Sequence, residues 1–122
     1  MNVLVIGASV KKERYSNVAI NMLKEFNHKI YALGLRNGVV NGVVIDTDRN
    51  TVVPNTVEID TVTLYLNATR QKEYYEYIIG LNPKRVIFNP GTENADFYEL
   101  LENKNIEFEV ACTLVLLRTG LF

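Results

Sequence analysis

The sequence predicts an α/β fold in which a doubly wound, mostly parallel sheet of about five strands lies between two layers of helices. Short apolar runs bounded by Gly, Asn or Pro alternate along the chain with segments whose apolar residues recur at helical spacing. The first run, Val3–Ile6, is apolar without alternation, which is typical of a strand buried on both faces of a parallel sheet.

The first three elements are predicted to form a βαβ unit. Val3–Ile6 meets Gly7, and after a polar loop a helix is predicted over residues 16–26, where apolar residues recur every three or four positions. We expect Ser16 or Asn17 to cap this helix, because either side chain can accept a hydrogen bond from the first-turn N–H groups. A strand from Lys29 to Leu33 completes the unit.

Residues 34–56 are the least regular part of the chain. Asn37-Gly38 and Asn41-Gly42 indicate turns, because Asn and Gly tolerate positive φ. Residues 39–44 are interpreted either as a very small hairpin or as an extended loop followed by a turn. The polar segment from Asp46 to Pro54 is interpreted as a surface connection.

The second half of the chain repeats the alternation of strands and helices. Strands are predicted at Asp60–Leu66, Arg85–Phe88 and Ile106–Val110. A short closing helix is predicted over Cys112–Leu121. The sheet is therefore expected to contain five strands.

Two further helices are predicted between these strands. The first should begin with Thr69 as N-cap and end at Asn82-Pro83. The second should begin at Asn94 or Thr92 and end at Asn105. The residues predicted to face the sheet are Tyr74, Tyr77, Ile78 and Leu81 on the first helix, and Phe97, Leu100 and Leu101 on the second.

This element order predicts a Rossmann-like, three-layer α/β/α architecture in a single domain, residues 1–122. In such sheets a ligand binds beyond the carboxyl ends of the strands, where the winding direction reverses. Small or polar residues follow the strands there, at Gly7–Ser9, Leu33–Arg36, Leu66–Ala68 and Asn89–Thr92. We therefore expect the ligand site at this edge.

The first loop is predicted to hold a phosphate. The N–H groups at a helix start have no intrahelical partner and lie at the positive end of the helix dipole, which favours an anion. A dinucleotide fingerprint is absent, because Ser9 and Lys12 stand where its later glycines would be, and no G-K-[ST] motif occurs. Lys11, Lys12 and Arg14 supply positive charge. The alternative is a solvated basic loop over an ordinary strand-helix turn.

The composition excludes several classes of function. A net charge of −1 gives no overall attraction to nucleic acid or membrane. One His and one Cys make a disulfide framework or a His/Cys metal site implausible, and no apolar run is long enough to span a bilayer. A cytoplasmic location is expected. The sequence leaves a protein partner or a homo-oligomer open without supporting either.

Gly7-Ala8-Ser9, the spacer, Ser16-Asn17 and the alternating elements resemble the stand-alone CoA-binding domain proteins. These are similar to the nucleotide-binding domain at the start of the α subunit of succinyl-CoA synthetase. The resemblance extends from Asn2 to about Cys112, and the order and spacing of short motifs carry it.

The resemblance implies a CoA site. It places Gly7, Ala8 and Ser9 beside the CoA diphosphate, with Ser16 and Asn17 capping the same group and Arg14 meeting a phosphate oxygen. Asn89, Pro90 and Gly91 would lie near the pantetheine end, and Cys112 matches a position where the family often has a cysteine. The residues predicted to bind the cofactor are Gly7, Ala8, Ser9, Arg14, Ser16, Asn17, Arg36, Asn67, Asn89, Pro90 and Gly91.

The chain departs from the family after the second strand. Leu33-Gly34-Leu35 replaces the usual Val-Asn-Pro type segment beside the adenosine half of the ligand, and Arg36 follows as a residue able to contact a ribose phosphate. The phosphorylated histidine of the synthetase lies in a second domain without a counterpart here.

No complete catalytic constellation is present, so the expected function is non-catalytic binding of CoA or an acyl-CoA. His28 is expected to lie away from the ligand edge, and Cys112 is interpreted as either a nucleophile or a small buried residue. Two alternatives stay open: an NADP-binding oxidoreductase or sensor on the same fold, and an interaction module whose nucleotide site has decayed.

Overall fold

The structure is a computed structural model that describes residues 1–122. It contains one seven-stranded sheet in the order β3-β4-β2-β1-β5-β6-β7. All neighbours pair in parallel except β3 and β4. The strands are β1 (Asn2–Ala8), β2 (Lys29–Gly34), β3 (Gly38–Val40), β4 (Val43–Asp46), β5 (Thr61–Leu64), β6 (Arg85–Phe88) and β7 (Glu107–Val110).

The predicted fold class is correct, but the count of five strands is wrong. The two additional strands, β3 and β4, form the small hairpin that was one of the two interpretations of residues 39–44. β4 joins the sheet beside β2. Asn41 and Gly42 form its turn with φ of 49° and 81°. Two consecutive positive φ values match the twist of a tight antiparallel hairpin.

Helices cover both faces of the sheet. They are α1 (Tyr15–Glu25), α2 (Ala68–Gln71), α3 (Tyr75–Leu81), α4 (Ala95–Asn103) and α5 (Thr113–Thr119). On one face, Ile20 and Leu23 of α1 pack with Leu117 of α5 against β1 and β2. On the other face, Ile78 and Phe97 lie in a second apolar core, where complete burial of such a side chain contributes about 1.5–3 kcal/mol.

Helix starts were predicted with mixed success. Asn94 caps α4 by accepting a hydrogen bond from the Phe97 N–H at 3.2 Å. Thr69 is not a cap, because the helix already begins at Ala68 and the Asn67 side chain accepts from the Arg70 N–H at 3.0 Å. Neither Ser16 nor Asn17 caps α1, since Arg14 holds the N-cap position without a side-chain hydrogen bond.

The segment predicted as one helix after β5 is divided. A single 3₁₀ turn at Lys72–Tyr74 separates α2 from α3. Tyr74 and Ile78 are buried as expected, whereas Tyr77 is half-buried. Leu100 of α4 was expected inside but is 37% exposed, because Phe97 and Leu101 fill the contact with the sheet.

The longest helix, α1, has 11 residues. No helix combines the length and the hydrophobicity that crossing a membrane requires.

Candidate functional site

A cleft of about 540 Å³ opens at the carboxyl ends of four neighbouring strands. The sheet winds one way from β1 to β2 and the other way from β1 to β5, so the cleft lies where ligands bind in such folds. Its volume falls in the range of small-molecule sites. The lining residues come from the ends of β1, β2, β5 and β6 and from the starts of α1 and α2.

Most of the residues predicted from the sequence meet at this cleft. The lining includes Gly7, Ala8, Ser9, Arg14, Ser16, Arg36, Asn67, Pro90 and Gly91. Asn17 and Asn89 are absent from it. Contact of any of these residues with a ligand stays a prediction.

Asn17 holds the first loop instead of lining the cleft. Its side chain is 5% exposed, and its Nδ2 donates to the Ser9 carbonyl oxygen at 3.0 Å. The Asn21 side chain donates in turn to Asn17 Oδ1 at 3.2 Å. The amide therefore ties the end of β1 to the first turn of α1, and fixes the backbone that faces the cleft.

Asn89 fastens three elements beneath the cleft. Its Nδ2 donates to Thr63 Oγ1 at 2.7 Å and to the Leu64 carbonyl at 2.8 Å, and its Oδ1 accepts from the Thr113 N–H at 2.8 Å. Both amide N–H donors are thus used within the protein. A buried group bonded in this way positions the ends of β5 and β6 and the start of α5.

Gln71 has a similar structural role that sequence reasoning missed. It is completely buried, and its Nε2 donates at 2.8 Å to the carbonyl oxygens of both Leu66 and Thr92. Asn94 Nδ2 donates to Gln71 Oε1 at 2.8 Å. Leu66 and Thr92 line the cleft, so Gln71 holds two of its sides together. The available signal was a polar residue in helical register with the buried Tyr74 and Ile78.

Gly7 lies at the irregularity near the end of β1, where the pairing register with β2 shifts between Ile6 and Ala8. Its φ is +94°, a region that L side chains rarely adopt. A Cβ at this position would lie 3.0 Å from the Tyr65 carbonyl carbon and oxygen, so the end of β5 leaves no room for one. The close approach of β1 to β5 at the floor of the cleft therefore requires glycine.

The departure at Gly34 also has a steric reason. A side chain there would collide with the carbonyl oxygen of Ala8 and approach Ile45 Cγ2 to 2.9 Å. Glycine lets the end of β2 lie against the irregular end of β1. Leu35 and Arg36, which follow, still line the cleft.

The start of α1 offers free hydrogen-bond donors to the cleft. The N–H groups of Ser9 and Val10 have no acceptor within the protein, and those of Tyr15 and Ser16 find none in the preceding loop. Ser16 is nevertheless only 3% exposed. A buried helix start without a cap is completed by water or by a bound group, and the dipole there favours an anion.

The charge lining the cleft has one sign. Its four charged residues are Lys11, Arg14, Arg36 and Arg70, and no Asp or Glu lies among them. None of the four forms an ion pair within the protein. This concentration of unpaired positive charge occurs in a chain whose net charge is −1. Arg70 was not predicted, although it lies in α2, the first helix after β5.

The side chains able to take part in catalysis either lie outside the cleft or have a pKa far above neutral pH. His28 directly precedes β2, at the amino ends of the strands and so away from the cleft, and its ring packs on Phe122. Burial, the N-terminal ammonium and Arg85 lower the pKa of this imidazole. Cys112 is a free, half-buried thiol just before α5 and is not among the cleft residues. Tyr65 does line the cleft, but burial raises the pKa of its hydroxyl to about 12. No three His, Cys, Asp or Glu side chains lie close enough to hold a metal ion.

Comparison with known proteins agrees with this architecture. A crystal structure described only as that of an uncharacterized protein is 42% identical to this chain, with a TM-score of 0.92, and the alignment covers 99% of this chain and 97% of the other. A hypothetical protein from Pyrococcus horikoshii OT3 is similar at 24% identity and a TM-score of 0.82, covering 98% and 82% of the two chains. A protein from Thermus thermophilus is similar at 16% identity and a TM-score of 0.85, covering 99% and 90%.

The last two likenesses, below 25% identity, show the fold alone. No curated protein matches this chain in a sequence search. Residues 1–118 match the family described as the CoA binding domain. Because this match covers essentially the whole chain, the protein belongs to the CoA-binding domain family.

Proposed function

We propose that this chain binds coenzyme A or an acyl-CoA in the cleft and holds the ligand's diphosphate at the start of α1. The observation that carries the proposal is the convergence of four unpaired cations and unused backbone N–H groups on one cleft without a carboxylate. Family membership supports CoA as the anionic ligand.

The residues present fit such a ligand. A diphosphate needs several convergent donors, and the backbone of Ser9 and Ser16 with the Arg14 side chain would supply them. CoA also carries a ribose phosphate, for which Arg36 and Arg70 are the remaining guanidinium groups of the cleft. The pantetheine arm would then extend toward Pro90 and Gly91.

We propose further that the chain is a binding protein and not an enzyme. The cleft lining contains no His, Cys, Asp or Glu. General acid–base catalysis near neutral pH needs a group whose pKa lies near the working pH. The Tyr65 hydroxyl, with a pKa of about 12, does not meet this requirement.

Thermal unfolding with and without millimolar CoA, acetyl-CoA, NAD or NADP tests the proposal. A ligand present at 100 times its dissociation constant stabilises the folded state by about 2.7 kcal/mol. We expect CoA or acetyl-CoA to raise Tm by about 8–12 °C, and neither NAD nor NADP to do so. A rise with NADP alone would assign the cleft to a dinucleotide, and no rise with any of the four would reject the proposed ligand.

Arg70→Glu is expected to weaken CoA binding about tenfold, because the substitution replaces an attractive charge in the cleft with a repulsive one. Folding should be unaffected, since Arg70 is exposed and forms no ion pair. Titration calorimetry measures the change in affinity.

Arg118→Glu is the matched control for this experiment. Arg118 is an exposed arginine near the end of α5 and does not line the cleft, yet its reversal changes the net charge equally. Equal losses of affinity in the two variants would mean that only overall charge matters and that Arg70 has no local role.

A further inference from the structure

The two edges of the sheet differ in their protection against pairing. At the β7 edge, Glu107 and Glu109 are exposed. The β3 edge carries no charge, because residues 37–44 are only Asn, Gly and Val. Proteins usually protect an edge strand with charged residues, Pro or a bulge, or by keeping the strand very short. With three residues β3 is short, but it has no charge, no Pro and no bulge.

The backbone of β3 has a free hydrogen-bonding position at its centre. Val40 pairs with Val43 across the two-residue turn, and Val39 pairs with Val44. In a hairpin of this kind the residues beside the turn exchange hydrogen bonds, and those of the next pair point away from each other. The N–H and C=O of Val39 therefore face outward from the sheet.

Apolar side chains surround this free position. Val39 is 60% exposed and Val44 66%, and the two are paired across the hairpin. A strand added at β3 would cover part of this surface.

A groove of about 410 Å³ lies between β3 and α1, with opposite charges at its two ends. Lys12 lies near the beginning of β3, since Val10 packs on Gly38. Glu25 lies near the end of β3, where its neighbour Lys24 bonds to the Asn41 carbonyl. Neither Lys12 nor Glu25 forms an ion pair within the chain.

We propose that β3 is a dimer interface, at which it pairs antiparallel with β3 of a second copy of this chain about a two-fold axis at Val39. The two Val39 residues exchange their outward N–H···O bonds and join the two sheets. Antiparallel pairing sets the beginning of one β3 against the end of the other. Lys12 of each copy then lies on the same side as Glu25 of the other, so the groove is self-complementary, as a two-fold interface requires.

The dimer is expected to be weak. A three-residue strand and a narrow groove bury less than the roughly 800 Å² per partner of a standard interface. We expect a monomer–dimer equilibrium with a dissociation constant of about 10–500 μM, measured by sedimentation velocity between about 1 μM and 1 mM protein. A protein that stays monomeric at 1 mM would overturn the proposal.

Val39→Lys tests the position of the axis. Two like charges meet at the axis in this variant, so its dissociation constant should rise at least tenfold. Val115→Lys, at an exposed valine of α5, is the control and should leave the equilibrium unchanged. A dimer that tolerates Val39→Lys would place the interface elsewhere.

A charge swap tests the two-fold relation. Lys12→Glu sets two carboxylates against each other and should weaken the dimer about tenfold, whereas Lys12→Glu with Glu25→Lys should restore it. Failure of the double variant to recover would contradict the antiparallel pairing.

Hydrogen exchange on the wild-type protein is an independent measurement that needs no variant. The Val39 N–H should exchange more slowly as protein concentration rises, and a rate independent of concentration in a dimerising sample would reject β3 as the interface.

Discussion

Ser16→Asp is expected to weaken the binding of CoA about 100-fold while leaving the unliganded protein at least as stable as the wild type. Ser16 lines the cleft in the first turn of α1, so the new carboxylate faces the proposed diphosphate seat. The same carboxylate interacts favourably with the uncapped helix start. Affinity and stability should therefore change in opposite directions, which titration calorimetry and thermal unfolding measure separately.

Ser16→Asn is the control for this substitution. Asparagine has nearly the size of aspartate but no charge, so the variant reports the effect of bulk alone. We expect its affinity for CoA to fall about tenfold or less. If the Asn and Asp variants bound CoA equally, charge at the start of α1 would be irrelevant, and the diphosphate would have to lie elsewhere in the cleft.

The second large effect is expected from Gly7→Ala, which should lower the free energy of unfolding by about 3 kcal/mol. The substitution forces a side chain into the left-handed region at φ +94° and into the carbonyl group of Tyr65 at 3.0 Å. Thermal unfolding should show Tm lower by about 10–15 °C.

Gly80→Ala is the matched control for Gly7→Ala. Gly80 lies in α3, and a Cβ there meets no atom within 4 Å. Alanine should stabilise the protein by about 0.5–1 kcal/mol, because it restricts the unfolded chain and favours helix. A Gly7→Ala variant that melted with the wild type would show that β1 can withdraw from β5 at little cost.

The sequence was informative where local pattern decides structure. Val3–Ile6 and Val86–Phe88 are uninterrupted apolar runs, which is typical of strands buried on both faces of a parallel sheet, and both are buried. It was ambiguous at the β3–β4 hairpin, where the apolar runs have only two and three residues and the alternation that identifies a strand is absent. Pairing with β2 stabilises these short strands, and such a contact is not local.

The misplaced helix start has a different cause. Ser16 and Asn17 have the side chains of N-caps, but both are buried within the first turn of α1. The Asn17 amide bonds to the Ser9 carbonyl, and so serves the loop rather than the helix end. Cap preference describes an isolated helix, whereas here the loop that lines the cleft determines what these side chains do.

The role of Arg70 depends on strand order. Its guanidinium lies at the cleft with Arg14 and Arg36 because β5 pairs with β1, bringing together segments more than fifty residues apart in the chain. The spacing of residues along the sequence does not indicate that β1 and β5 are neighbours in the sheet. The rule that ligands bind at the carboxyl ends of the strands predicted where the cleft lies, but not every residue that lines it.

The unequal edges of the sheet limit how far assembly can proceed. An edge strand that pairs with any other edge can start a fibril, because each added copy presents a fresh edge to the next. Here the proposed β3 contact occupies the uncharged edge of both copies and leaves the glutamate-bearing β7 edges outermost. Growth beyond two copies would bring Glu107 and Glu109 of neighbouring molecules together, and these like charges repel. The difference between the two edges therefore permits a dimer and prevents longer assemblies.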